Sequence, residues 1–257
     1  MTAPVFVDAA AATAAVGATL RVEGDEARHA VTVQRRTVGE TVDVVDGAGA
    51  RASGDIAAAG DRWMDVRVTA VSRDADPDVT LVQALAKGGR DEQAVEAATE
   101  LGVTRIVPWA ADRAIVQWRG PKAAKGRDKW ASTALAAAKQ SRRAVVPRVD
   151  DAVDTRALAA QAAAAVAGGA RVLVLHESAQ VSLASLDWPD ADRPVWLVVG
   201  PEGGVSDAEL DALAQAGAEP VVLGPHVLRA SSAGPAALAA LAAVRGHWNP
   251  AGTRLDA

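Results

Sequence analysis

The chain has 257 residues, half of them apolar and 23% charged, which excludes a disordered polar chain and, at about 150 residues per domain, suggests one or two domains. It holds no cysteine, so it has no disulfide framework, thiolate metal site or cysteine nucleophile, in keeping with a reducing compartment. The net charge is −5, no apolar run reaches the roughly 18 residues of a membrane span, and the N-terminus lacks the basic region of a signal peptide. A soluble, cytoplasmic protein is expected.

The first 73 residues read as short strands with turns around one helix. Gly24 to Val31 forms the helix. Thr41–Val45 is a strand that runs into Asp46-Gly47-Ala48-Gly49, a turn rich in permissive residues. From Trp63 to Val71 the chain alternates, with Met64, Val66, Val68 and Ala70 on one face and Trp63, Asp65, Arg67 and Thr69 on the other, the period of a half-buried strand. A small β-barrel over residues 1–73 is the expected shape. Residues 74–80, with Asp74, Asp76, Pro77 and Asp78, read as the linker to a second domain over 81–257.

From Val79 the rhythm becomes strand and helix in turn. Val79–Leu85, Val103–Trp109, Arg171–His176, Val195–Gly200 and Pro220–Gly224 read as strands. Helices are expected at Asp91–Leu101, Arg127–Arg143, Asp154–Ala167, Ser206–Ala216 and Ser232–Gly246. Apolar strands alternating with helices indicate an α/β domain whose mostly parallel sheet is covered on both faces. The charge is uneven: residues 81–148 carry 13 basic and 6 acidic groups, whereas 149–257 carry 6 and 13. Because fields are screened within about 8–10 Å, the basic block reads either as a phosphate-binding face or as a solvated helical surface. Within it Trp118 and Trp130 are interleaved with Arg119, Lys122, Lys125, Arg127 and Lys129, a combination that can pair phosphate contacts with base stacking. Trp130, inside a helix, is expected in the core; Trp118, beside Arg119-Gly120-Pro121, is the stacking candidate.

Chemistry concentrates at strand ends. Val199-Gly200-Pro201-Glu202-Gly203-Gly204 ends one strand, and Ser206 with Glu209 has the spacing of a capping box that opens the next helix. Ligands in open α/β sheets bind beyond the carboxyl ends of the strands, and glycines let backbone groups approach them closely. A tight strand-to-helix turn with a solvated Glu202 is the alternative reading. Leu223-Gly224-Pro225-His226-Val227-Leu228-Arg229 repeats the Gly-Pro ending, and the two would lie side by side if their strands are neighbours. Leu175-His176-Glu177-Ser178 could complete the wall. Few ionisable groups line these loops, which suits a neutral heteroaromatic ligand held largely by backbone. His29, His176 and His247 have no metal-ligand spacing, and the absence of a G-x-G-x-x-G fingerprint disfavours a nucleotide-dependent oxidoreductase.

Leu-Val-Val-Gly-Pro-Glu-Gly-Gly (197–204) together with Leu-Gly-Pro-His-Val-Leu-Arg (223–229) resembles the C-terminal signature of the SPOUT RNA methyltransferases, and more narrowly of the RsmE group. Lys87 with Arg90, Ala98–Val103, Pro108, Asp112-Arg113, Gln140 with Arg143, and Pro147 are similar as well, and the resemblance covers nearly the whole chain. It implies a PUA-like RNA-binding barrel followed by a SPOUT α/β domain with a C-terminal trefoil knot, in a homodimer. It implies methylation of N3 of a uridine in 16S ribosomal RNA, free or in the small ribosomal subunit, with S-adenosyl-L-methionine as cofactor and no metal. The cofactor would meet Leu175 and His176 from one loop, Val199, Gly200, Pro201, Glu202, Gly203 and Gly204 from the second, and Leu223, Gly224, Val227 and Leu228 from the third. Glu202 is the candidate base, and Arg229 is the candidate for anion stabilisation or phosphate anchoring, a structural ion pair being its alternative. RNA contacts would fall to Arg35, Arg36, Lys87, Arg90, Arg113, Trp118 and Arg143.

Two departures bear on the chemistry. The group usually has Arg at His226 and a Thr-Glu-Thr-type continuation where this chain has Ala230-Ser231-Ser232, which shifts the base role toward Glu202 or toward desolvation and orientation alone. The alternatives are an RNA-binding protein of the same fold without catalysis and a SPOUT methyltransferase acting on another RNA.

Overall fold

The structure, a computed structural model, describes residues 3–248. The described residues divide into two compact units: residues 3–75 with Ala138–Val146, and Asp76–Ala137 with residues 147–248.

In the first unit, β1 (Val5–Val7), β2 (Thr19–Glu23), β3 (Thr41–Val45), β4 (Ala50–Gly60) and β5 (Trp63–Arg73) form a sheet in the order β1-β3-β4-β5-β2. Only the β1–β3 pair is parallel. The alternation along β5 is realised: Met64, Val66 and Val68 are buried with Phe6, Val22, Val42 and Val44 in one apolar cluster. The Asp46 turn forms because its carboxylate accepts the N–H groups of Ala48 (2.7 Å) and Ala50 (2.9 Å), while Gly47 and Gly49 take positive φ. The helix is α1 (Gly24–Arg28), prolonged by a π-helical turn over His29–Val33. The barrel expected here is not closed: among the described residues β1 and β2 remain the sheet's edges, β1 being three residues long and paired on one side only. Ala138–Val146 completes this unit, with Ala144 packed on Val5 and Val45 and the Lys139 ammonium 2.7 Å from Glu26 Oε1.

The second unit alternates strand and helix: β6 (Val79–Ala84), α2 (Arg90–Glu100), β7 (Arg105–Ala110), α3 (Pro121–Gln140), β8 (Arg148–Val149), β9 (Val153–Asp154), α4 (Thr155–Ala167), β10 (Arg171–Leu175), β11 (Val195–Val199), α5 (Asp207–Gln215), β12 (Glu219–Val221) and α6 (Ala230–Val244). Its sheet is parallel throughout, in the order β12-β10-β11-β6-β7-β8 with β9 also on β7. Period-two side chains serve two cores. Leu81, Leu173, Val195 and Leu197 face α2, α3 and α6, while Val82, Val174, Trp196 and Val198 face α4 and α5. That double burial explains why these strands are continuous apolar runs. Helix α3 begins six residues before the expected Arg127 because Pro121, whose fixed φ suits the first helical position, opens it. The two Gly-Pro strand ends are not neighbours: β10 lies between β11 and β12. No helix among the described residues is long and apolar enough to cross a membrane.

Candidate active site

Leu175 at the end of β10 is in register with Val199 of β11 and Val221 of β12. Three loops therefore leave the sheet at one level, beyond the carboxyl ends of parallel strands. They enclose a cleft of about 430 Å³, lined by Leu175, Val199–Val205 and Val227–Ala230, with Arg90 at its edge. A smaller cavity of about 180 Å³, lined by Leu175–Glu177 and Val221–Leu228, shares its walls at Leu175, Glu177, Val227 and Leu228. The structure thus brings Leu175, His176, the stretch Val199 to Gly204, Leu223, Gly224, Val227 and Leu228 onto one continuous surface, and Arg229 joins them.

The 200–206 loop is held tightly. A Cβ on Gly200 would stand 2.7 Å from Val205 Cγ2, and one on Gly203 would stand 2.9 Å from Arg113 Cβ and 3.0 Å from its carbonyl oxygen. Gly204, at φ 74°, donates its N–H to Pro201 O at 2.9 Å. The capping box of Ser206 and Glu209 forms as its spacing requires. Glu209 is 1% exposed and reaches further: its carboxylate also accepts Asp112 N–H and the Thr155 hydroxyl, both at 2.8 Å, tying the loop to the end of β7 and the start of α4. Burial pushes this carboxyl up, but the hydrogen bonds from Ser206, Asp112 and Thr155 outweigh it and hold it below the usual carboxylate range.

Glu202 is not simply solvated. Its Oε1 accepts from the Arg90 guanidinium at 3.1 Å and from Lys87 N–H at 3.3 Å, which fastens the loop to the start of α2. Arg229 caps α6 without a side-chain bond and has no ion-pair partner among the described residues, so the structural ion pair considered for it does not form. His176 is turned into its own loop, with Nδ1 2.8 Å from Ser178 Oγ. His226 is exposed, and Val227 is 81% exposed. Glu177, which the sequence placed in the wall but not among the cofactor contacts, lines both cavities.

A family described as RNA methyltransferase domain matches residues 74–242. The chain is 41% identical to ribosomal RNA small subunit methyltransferase E of Mycobacterium bovis over 91% of its own length and 89% of that protein's. The chain belongs to the ribosomal RNA small subunit methyltransferase E family. The family's Bacillus subtilis member is 28% identical, with 87% of this chain and 89% of that one covered. The methyltransferase E of Neisseria gonorrhoeae, solved bound to S-adenosyl methionine, superposes with a TM-score of 0.82 at 26% identity, covering 96% of this chain and 98% of that one.

For a methyltransferase E family member the remaining candidates are of two kinds. In the second unit, Lys87, Arg90 and Arg113 all touch the 200–205 loop: Arg113 Nη1 lies 3.4 Å from Gly203 O, beside the Glu202 contacts of the other two. Trp118 is half-buried, its ring edge-to-face on Trp130 at 5.1 Å and close against Gly126; Trp130 is 1% exposed in the core, as its helical position suggested. In the first unit, Arg36 pairs with Glu40 and Gln34, whereas Arg35 is exposed with a left-handed φ of 56° and no partner among the described residues. Arg143 closes α3, donating its N–H to Ala138 O at 2.9 Å.

Proposed function

We propose that this chain transfers the methyl group of S-adenosyl-L-methionine to N3 of a uridine in 16S ribosomal RNA, in the cytoplasm. The observation that carries the reading is the gathering of both Gly-Pro strand ends and the Leu175-His176-Glu177 strand end around one cleft in a member of this family. The cleft fits the cofactor's chemistry: its volume falls within the roughly 300–1,000 Å³ usual for small-molecule sites. Gly200, Gly203 and Gly204 leave backbone rather than side chains toward the ligand.

When bound, the cofactor supplies an already activated sulfonium methyl. What the chain must add is alignment, exclusion of water and removal of the N3 proton, since uracil N3–H is a weak acid. On this reading Glu202, which lines the cleft with Glu177, takes the last step. Arg90 and Lys87 N–H hold its Oε1, leaving Oε2 to take the proton. Arg229, uncommitted at the cleft edge, would stabilise the uracil anion or hold a neighbouring phosphate.

The same reading gives residues 1–73 the part of a PUA-like RNA-binding domain, with Arg35 and Arg36 as contacts and Arg143 added from the Ala138–Val146 segment that packs with it, and gives 81–257 otherwise that of a SPOUT domain; the expected 74–80 linker shortens to 74–78, because Val79 and Thr80 already belong to β6. The reading also assigns a trefoil knot to the 197–204 and 223–232 segments, parts of which line the cleft. Homodimerisation is supported by the exposure of Val227 and Leu228 beside it. The test is methyl transfer from labelled cofactor to small ribosomal subunits lacking the modification, with mass mapping of the product. N3-methyluridine is the expected product; cofactor binding without transfer would point to a different RNA substrate or to a domain that only binds.

A further inference from the structure

A third cavity, of about 280 Å³, opens between the 86–92 segment and α3, lined by Lys87, Gly88, Gly89, Lys129 and the ring of Trp118 among others. The segment that carries Lys87 and Arg90, the residues that hold Glu202, borders both this cavity and the active-site cleft: Arg90 lines the cleft and Lys87 lines the cavity. Resting on the reading of the cleft as a methyl-transfer site on RNA, we infer that this cavity receives a nucleotide of the substrate strand next to the target uridine, its base against Trp118 and its phosphate among the lysines.

Three features carry the assignment. The charge is arranged against the helix: the first turn of the 20-residue α3 carries lysines and no acid, and Arg119 precedes it. A helix N-terminus has positive partial charge, so cations there are unfavourable, and an anion on this surface offsets the conflict. Helical periodicity then places Lys122, Gly126 and Lys129 on one face; Gly126 is closed over by Trp118, Lys129 lines the cavity, and Lys122 lies one turn before Gly126, outside the lining. Finally, the acids facing the cavity are already engaged. Glu92 is paired with Lys129, and the buried Asp91 accepts from Ala86 N–H and Glu92 N–H, which leaves the Lys87 ammonium at the cavity, and the Lys122 ammonium on the same face of α3 as Lys129, without a side-chain partner among the described residues. Gly88 and Gly89 stand at positive φ with no atom close enough to clash with an added Cβ, so the mouth stays open to a flat base. Stacking on Trp118 with lysines at the rim is how sequence-tolerant single-strand sites work.

The test uses the full chain with three variants, Lys122→Gln/Lys129→Gln, Trp118→Leu and, as a filler of the cavity, Val116→Phe. Methyl transfer to unmodified small subunits is measured beside binding of a single-stranded oligouridylate and of uridine monophosphate. The double lysine variant, which removes the exposed Lys129–Glu92 ion pair but no apolar packing, is expected to raise the KM for RNA about ten-fold and to flatten the salt dependence of oligouridylate binding, with cofactor affinity unchanged. Oligouridylate binding equal to wild type in the lysine variant and in Val116→Phe overturns the site, whether or not methyl is transferred. Uridine monophosphate bound as tightly as oligouridylate overturns the assignment to a strand. Lysine-dependent oligouridylate binding by a wild-type protein that transfers no methyl supports the RNA site and removes the methyl-transfer reading alone.

Discussion

Glu202 Oε1 accepts from the Arg90 guanidinium and from Lys87 N–H, so its replacement has two separable effects. Glu202→Gln keeps an oxygen for both donors and removes the proton acceptor. It is expected to leave cofactor affinity near wild type and to lower kcat by about 100-fold or more, the usual share of a general base. Glu202→Ala also releases the loop and is expected to weaken cofactor binding in addition. Wild-type kcat in Glu202→Gln, measured at saturating RNA, would reduce Glu202 to a positioning residue. Gly203 makes the complementary point about space. A methyl group there meets Arg113 Cβ and its carbonyl oxygen at about 3 Å, and backbone cannot give way as a flexible side chain can. Gly203→Ala is therefore expected to displace the loop and weaken cofactor binding by about ten-fold or more, read by calorimetry, since small misplacements at such sites carry large losses.

At the scale of elements, the turn from β11 into α5 is fixed by Glu209, whose carboxylate joins Ser206, Asp112 and Thr155. Removing it in Glu209→Ala takes away the capping box and leaves two part-buried donors, Asp112 N–H and the Thr155 hydroxyl, without their acceptor, a loss of about 1–3 kcal/mol, visible as a lower midpoint in denaturant. The folded-state pKa of Glu209 is depressed, so its contribution is present above the ordinary carboxylate pKa and is lost as pH falls through the folded value. The difference in stability between wild type and Glu209→Gln is accordingly expected to shrink in acid. The capping box was legible because Ser206 and Glu209 have the right spacing, and the second sheet because doubly buried strands read as apolar runs. β4 was not legible: ARASGDIAAAG has almost no β-branched residues, and its pairing with β5 shifts register twice. The order of β10 between β11 and β12 was hidden for another reason. Each strand records its burial, not its neighbour, and only the register of Leu175 with Val199 and Val221 shows why the three loops converge. Glu209's partners Asp112 and Thr155 are distant in sequence, so its role beyond the cap left no local pattern.

At the scale of the whole molecule, a chain of net charge −5 is read as meeting an anionic polymer, which requires cations placed one by one rather than in bulk. Arg35 is the sharpest case. It stands exposed at φ 56°, a conformation that costs a non-glycine residue about 1 kcal/mol or more, and it has no partner among the described residues to offset that cost. Packing gives no reason for an arginine there, whereas a glycine would adopt the same backbone without strain. Arg35→Gly is therefore expected to leave the protein as stable as wild type, or up to about 1 kcal/mol more stable in denaturant melts, while weakening RNA binding. Because each lost phosphate contact lowers the slope of log affinity against log salt by about 0.7 for a single strand and 0.9 for a duplex, the loss should appear as a shallower salt dependence and shrink at high salt. A variant that binds RNA with an unchanged slope would remove Arg35 from the RNA footprint. One that is both destabilised and unchanged in slope would make the left-handed arginine a structural feature of the first unit.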